Sequence, residues 1–282
     1  METLPALDGR VALAQSTIEA FRRDGHVKIP SVFTADEIEA YRPHLSRAID
    51  AAIRDERLIA EGIVDVGNGW KFVKNVWSLS DITRRFVTSP RLGSIAATLL
   101  GASAVRLFRD QSYYKEPGGG CTPWHRDSSY IPLEASESLS IWIPLTRVTP
   151  EMAPMDYASG SHSASEFLGT SGVADDEMDA FESSLRARGF PIVNYRTFEA
   201  GDVAVHFTDT MHGSRTNRSP HQREVVVAAY FPDGARVAGD LPIAGDEYVN
   251  LVRAKNREMV MGGLQVGDVA AGPDLPLVFS ER

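Results

Sequence analysis

VRLFRDQSYYKEPGGGCTPWHRDSSY, residues 105–130, is where the chain passes from helix to strand and where its chemistry is densest. The opening VRLFRDQSYYKE alternates as a strand does, PGGG at 117–120 marks a turn, and CTPWHRDSSY at 121–130 sets an imidazole and a carboxylate two residues apart. In an extended strand residues i and i+2 project to one face, so His125 and Asp127 stand side by side while Arg126 points away. One nitrogen and one oxygen donor on one face are two corners of a facial metal triad, which leaves three positions open for a bidentate cosubstrate and O2. The same pair also suits a hydrogen-bonded surface couple, so a third corner from elsewhere must decide.

That corner is His212, which follows the strand-like DVAVHF (202–207) and opens the turn HGSRTNRSP (212–220) into REVVVAAYF (223–231). Eleven residues on, Arg223 begins the returning strand, where its guanidinium fork suits a buried carboxylate, and Ser214 offers a hydroxyl to the same group. LSIWIPL (139–145) is a further strand, so residues 105–232 read as an antiparallel β core.

Upstream, apolar residues at Ile38, Tyr41, Leu45, Ala48, Ile49, Ala52 and Ile53 recur at helical spacing behind a capping box of Thr34 and Glu37. Asp81 to Leu100, split at Pro90, predicts two more short helices, so residues 15–101 are expected to be helical support. Residues 163–190 are polar and acidic, an excursion suited to a lid, and 233–282 is an extension with one helix from about Asp246 to Met261. At 282 residues, 43% hydrophobic and 24% charged, the chain is expected to be one folded domain.

The formal net charge of -9 argues against nucleic acid as a partner. Nothing approaches the roughly 20 consecutive apolar residues of a membrane helix. A single cysteine and an N-terminus without an apolar leader point to an intracellular, cytoplasmic protein, with Cys121 a packing residue. His26, His44 and His221 read as solvated, His162 as structural, and His206 as either core or neighbour to a ligand. Trp124 and Trp142 read as core, and Tyr130 as a residue of the substrate mouth.

Taken in order, DQSYYK (110–115), TPWHRD (122–127), LSIWIPL, SGSH (159–162), GDVAVHF (201–207) and HGSRTNRSPHQR (212–223) resemble the phytanoyl-CoA dioxygenase family of oxygenases. The resemblance spans roughly Lys74 to Tyr230, more loosely upstream through DGHVKIPSVFTADEI (24–38). It implies a double-stranded β-helix, or jelly roll, braced by N-terminal helices. It also implies an Fe(II) centre on His125, Asp127 and His212, with 2-oxoglutarate and O2 as cosubstrates and Arg223 and Ser214 on the distal 2-oxoglutarate carboxylate. Gln111 matches a glutamine facing the active site, and Lys74 a further cosubstrate position. Two departures stand out: EMAPMDYASGSH (151–162) lacks the usual Glu-Asn-Gly, and His206 replaces a frequent aromatic. Asp127 fills the position that related halogenases leave to a small residue, so the resemblance implies hydroxylation or another radical outcome on a small-molecule substrate: desaturation, cyclisation or epimerisation. The rival readings are a cupin-like hydrolase or isomerase, against which Arg223 argues, and a jelly-roll binding protein with a closed structural metal.

Overall fold

The computed structural model describes residues 4–134, 138–164, 176–240 and 247–281. Its elements run α1 (Gln15–Asp24), β1 (His26–Ile29), α2 (Ala35–Ala52), α3 (Glu56–Ala60), β2 (Val64–Asp65), β3 (Trp70–Lys74), α4 (Asp81–Val87), α5 (Pro90–Leu100), β4 (Ala104–Lys115) and β5 (Thr122–His125). They continue through β6 (Leu139–Pro144), β7 (Asp156–Ala158), α6 (Met178–Ala187), β8 (Ile192–Asn194), β9 (Val203–Phe207), β10 (His212–Ser214), β11 (Val225–Pro232), α7 (Glu247–Met261) and β12 (Leu277–Ser280). One sheet has eight strands in the order β1-β9-β6-β11-β4-β3-β2, with β12 also on β4; the other has four, β5-β10-β7-β8. From β4 to β11 the chain crosses back and forth between the sheets, which makes the jelly roll a double-stranded β-helix.

Alternation explains which way each strand faces. Leu139, Ile141 and Ile143 of β6, Val203, Val205 and Phe207 of β9, and Val226, Ala228 and Tyr230 of β11 all join the large core beneath α1, α2, α4 and α5. The residues between them form the inner face: Ser140 and Trp142, Ala204 and His206, Val225, Val227 and Ala229. On β4 the same rule sends Asp110, Ser112 and Tyr114 outward and leaves Arg109, Gln111 and Tyr113 inward, and the ladder aligns Gln111 with Lys74 and Val227. The side chains available for chemistry are therefore set by strand parity.

The helices start where their caps stand. Thr34 accepts from the Glu37 amide at 3.1 Å and its own amide donates to the Glu37 carboxylate at 2.9 Å, while Pro90 occupies the first turn of α5. Gly201, at φ +97°, lets the chain turn into β9 against the Phe33 backbone; a Cβ there would collide with the Phe33 carbonyl.

Two expectations need correction. The 15–101 support, read as mostly helical, also holds β1, β2 and β3, which extend the larger sheet, as does β12 in the extension. Such short strands owe their hydrogen bonds to distant partners, which helical spacing does not report. Asp127 does not lie in a strand: β5 ends at His125, Arg126 is extended, and a 3-10 turn begins at Asp127. His26 is not solvated but 3% exposed, because β1 carries it to the sheet edge opposite His206. Within the 163–190 excursion, residues 165–175 lie outside the described residues, and the rest contributes α6, which packs Met178 and Leu185 near Trp124.

Candidate active site

His125 and His212 are direct cross-strand partners of β5 and β10, so the ladder itself sets the two imidazoles together, ring centroids 4.2 Å apart. Asp127 reaches the same point from its turn: its Oδ1 is 3.5 Å from His125 Nε2 and 3.8 Å from His212 Nε2. One ligand atom from each of the three lies within 4.8 Å of the others, a set able to hold a metal ion. His125 Nδ1 lies 2.7 Å from the Pro123 carbonyl and His212 Nδ1 2.9 Å from that of Thr210. Donating those protons leaves both Nε2 atoms as lone-pair ligands. Arg126 turns outward to the Ser161 and Ala164 carbonyls, as the i, i+2 pattern requires.

Asp127 is gripped from behind. Ser140 Oγ donates to its Oδ2 at 2.6 Å and His206 Nε2 lies 3.2 Å from the same oxygen, which leaves Oδ1 facing the two ligand histidines. Burial alone would raise the Asp127 carboxyl, but the surrounding imidazoles of His212, His125 and His206 hold it well below the usual range. Burial, aided by His206 and His125, pushes His212 far down and keeps it neutral, the form that binds metal.

Behind this cluster lies a small inner cavity lined by Gln111, Thr122, Trp142, Met155, His206 and Arg223 together with the three candidate ligands. Arg223 is 1% exposed and sits over the Trp142 ring; one Nη donates to the Ala153 carbonyl, and among the described residues it has no carboxylate partner and its buried Nε no acceptor. Gln111 Oε1 is likewise buried and unpartnered. The orphaned Arg223 donor and the ligand triad around one cavity fit a chelated metal and an oxygen-rich, anionic cosubstrate. Ala153, in the loop that departs from the family pattern, takes a left-handed φ of 55° to aim its carbonyl at Arg223.

Ser214 lies one step off this cavity: its hydroxyl accepts from Lys115 Nζ at 2.9 Å and meets Thr122 Oγ1, which does line it, at 3.0 Å. Lys74 stands apart from Arg223, on the wall of an outer cavity of about 1040 Å³, with Nζ on the Gly62 carbonyl. The outer cavity opens onto His125 and Asp127 and is walled by Trp70, Phe72, Tyr113, Tyr130 and, from α7, Tyr248. Sequence reasoning found Tyr130 but missed Arg109 and Tyr113, although both sit two residues from Gln111 on one strand and strand parity would have given them. α7 of the extension lines this cavity, and the lid expected in 163–190 falls in part outside the described residues.

A double-stranded β-helix with a two-histidine, one-carboxylate cluster beside a buried, unpaired arginine defines the class of non-haem Fe(II), 2-oxoglutarate-dependent oxygenases. Within that class the chain belongs to the phytanoyl-CoA dioxygenase (PhyH) family, whose model matches residues 21–225. It is similar to an ectoine dioxygenase of Bordetella parapertussis, 27% identical over 242 residues that cover 78% of this chain and 75% of the relative. Among solved structures it is similar to the alpha-ketoglutarate-dependent carbocyclase SnoK of nogalamycin biosynthesis, with a TM-score of 0.71 and 26% identity over 95% of this chain and 99% of that one. The epimerase SnoN in complex with Fe3+, alpha-ketoglutarate and nogalamycin RO gives a TM-score of 0.66 at 25% identity, over 94% and 98% of the two chains. The chain is thus a dioxygenase that uses iron and 2-oxoglutarate, and no described helix is long and apolar enough to cross a membrane.

Proposed function

We propose that the support, β core and C-terminal extension form one oxygenase unit that oxidises a ring-bearing small-molecule metabolite of natural-product type, by hydroxylation or through a substrate radical that closes, desaturates or epimerises. His125, Asp127 and His212 hold the iron, and Arg223, with the Ser214 and Thr122 hydroxyls nearby, receives the distal carboxylate of 2-oxoglutarate. Gln111 turns its unpartnered oxygen toward the same space. Bound iron with 2-oxoglutarate and O2 supplies the oxidising power that removes a substrate hydrogen, and the chain's part is to hold, aim and exclude water.

The observation that carries the substrate class is the outer cavity: about 1040 Å³, walled by aromatic rings and open to the candidate iron ligands. That volume is at the upper end for small-molecule sites and the walls suit flat apolar bodies. SnoK, a carbocyclase of nogalamycin biosynthesis that corresponds over 99% of its length at 26% identity, supports this reading. The test is succinate release from 2-oxoglutarate in air with Fe(II), using a panel of fused-ring metabolites beside ectoine. Stimulation by fused-ring compounds, lost in His212→Ala, is expected; stimulation by ectoine alone would overturn the substrate class.

A further inference from the structure

The inner face of the larger sheet carries a second, half-buried arginine away from Arg223. Arg109 lies on β4 two residues before Gln111, opposite Ala229 of β11, in a row that continues to Ser140 and His206, the two residues behind Asp127. It is thus two strands, about 10 Å by ladder spacing, from the serine that grips a candidate iron ligand. Its side chain lines the outer cavity and shares a smaller one with Asp127, Ser140 and Val227.

Among the described residues Arg109 makes one hydrogen bond: Nη1 donates to Asn256 Oδ1 of α7 at 2.6 Å. Asn256 is 1% exposed and donates in turn to the Tyr130 carbonyl at 2.7 Å, so helix, turn and guanidinium are locked together. This leaves the Nε–Nη2 edge of Arg109 without a partner, and no described carboxylate forms an ion pair with it. Lys74, diagonal to it across the β3–β4 ladder, forms none either. Withdrawal from water depresses the Arg109 guanidinium, against the opposing pull of Tyr113 and Asp127. A cation drawn partly out of water costs stability unless something pairs with it. In a chain of net charge -9, two cations on one cavity wall that form no ion pair with any described residue suit an anion. The carboxylates that do line the cavity are Asp65, exposed at the rim, and Asp127 itself.

We infer that the organic substrate carries a carboxylate, that the free Nε–Nη2 edge of Arg109 binds it side-on with Lys74 adding a second positive charge, and that this contact aims the ring body at the His125–Asp127–His212 cluster. The inference rests on the oxygenase reading for its place in turnover, but the anion site itself is read from Arg109, Lys74 and Asn256 alone. A side-on guanidinium edge matches two carboxylate oxygens in one plane.

The probe is 2-naphthoate, with neutral 2-naphthamide as its isostere, titrated into protein saturated with 2-oxoglutarate and Fe(II) without oxygen and followed by tryptophan fluorescence and calorimetry. Wild type is expected to bind the carboxylate about tenfold or more tighter than the amide, the scale of one charge-assisted hydrogen-bonded pair. Arg109→Gln should abolish that preference, Arg109→Lys should restore part of it, and Lys74→Gln should reduce it, with 2-oxoglutarate affinity unchanged in the two Arg109 variants. Equal binding of the two probes by wild type, or an undiminished preference in Arg109→Gln, would overturn the site. Naphthoate that competes with 2-oxoglutarate would also overturn it, because the anion would then be in the Arg223 pocket. Repeating the titration on metal-free protein separates the two claims, since the preference at Arg109 does not need iron and failure of iron or 2-oxoglutarate binding would leave it standing.

Discussion

At the scale of single residues, the site depends on which oxygen of Asp127 is left for metal. Ser140 and His206 both hold Oδ2, so Ser140→Ala should let the carboxylate rotate. A roughly 10- to 100-fold loss of Fe(II) affinity is expected, the usual effect of removing a residue that orients a ligand, measured by competition with a chromogenic chelator. His26 makes a different prediction. Its ring stacks on Tyr157 and bonds Tyr195 and Ser159, and burial lowers its pKa from 6.5 to about 4. The folded state therefore favours neutral His26, whose contribution is present above about pH 6.5 and lost as pH falls toward 4, because the unfolded chain takes up the proton first. By linkage this amounts to something on the order of 3 kcal/mol. Urea unfolding at pH 7 and pH 5 should show a smaller loss between the two in His26→Gln than in wild type.

At the scale of elements, parity and register do most of the positioning. The His125–His212 alignment belongs to the β5–β10 ladder, and Arg109, Gln111 and Tyr113 share one face because β4 is extended. The turn into β9 is the element most sensitive to a small change. Gly201→Ala adds a Cβ against the Phe33 carbonyl and should destabilise the protein by about 2 kcal/mol or more, seen as a lowered urea midpoint with unchanged slope. An unchanged midpoint would mean that the β9 turn relaxes without cost.

Over the whole molecule, what was legible in the sequence was whatever local periodicity or a compact motif encodes. The alternation of LSIWIPL and REVVVAAYF, the Thr34 cap and the break at Pro90 each report a structure made within one element. The iron-ligand candidates were legible because His125 and Asp127 lie close in sequence and His212 sits at a recognisable turn. Illegible were features that exist only through distant pairing: β1 at the sheet edge, which buries His26, and the α7 contacts that place Asn256 against Arg109. The same limit applies to the grip of Ser140 on Asp127, since that serine is not near it in sequence, whereas His206, which reads as either core or neighbour to a ligand, is the latter.

The most direct test is to add Fe(II) and then 2-oxoglutarate to metal-free protein without oxygen and follow the weak visible charge-transfer absorption of an iron-bound 2-oxo acid. A band in wild type, lost in His212→Ala and needing much more 2-oxoglutarate in Arg223→Ala, is the expected result. Iron that binds at the triad with no band at saturating 2-oxoglutarate, or an Arg223→Ala variant with unchanged 2-oxoglutarate affinity, would contradict the assignment of these residues.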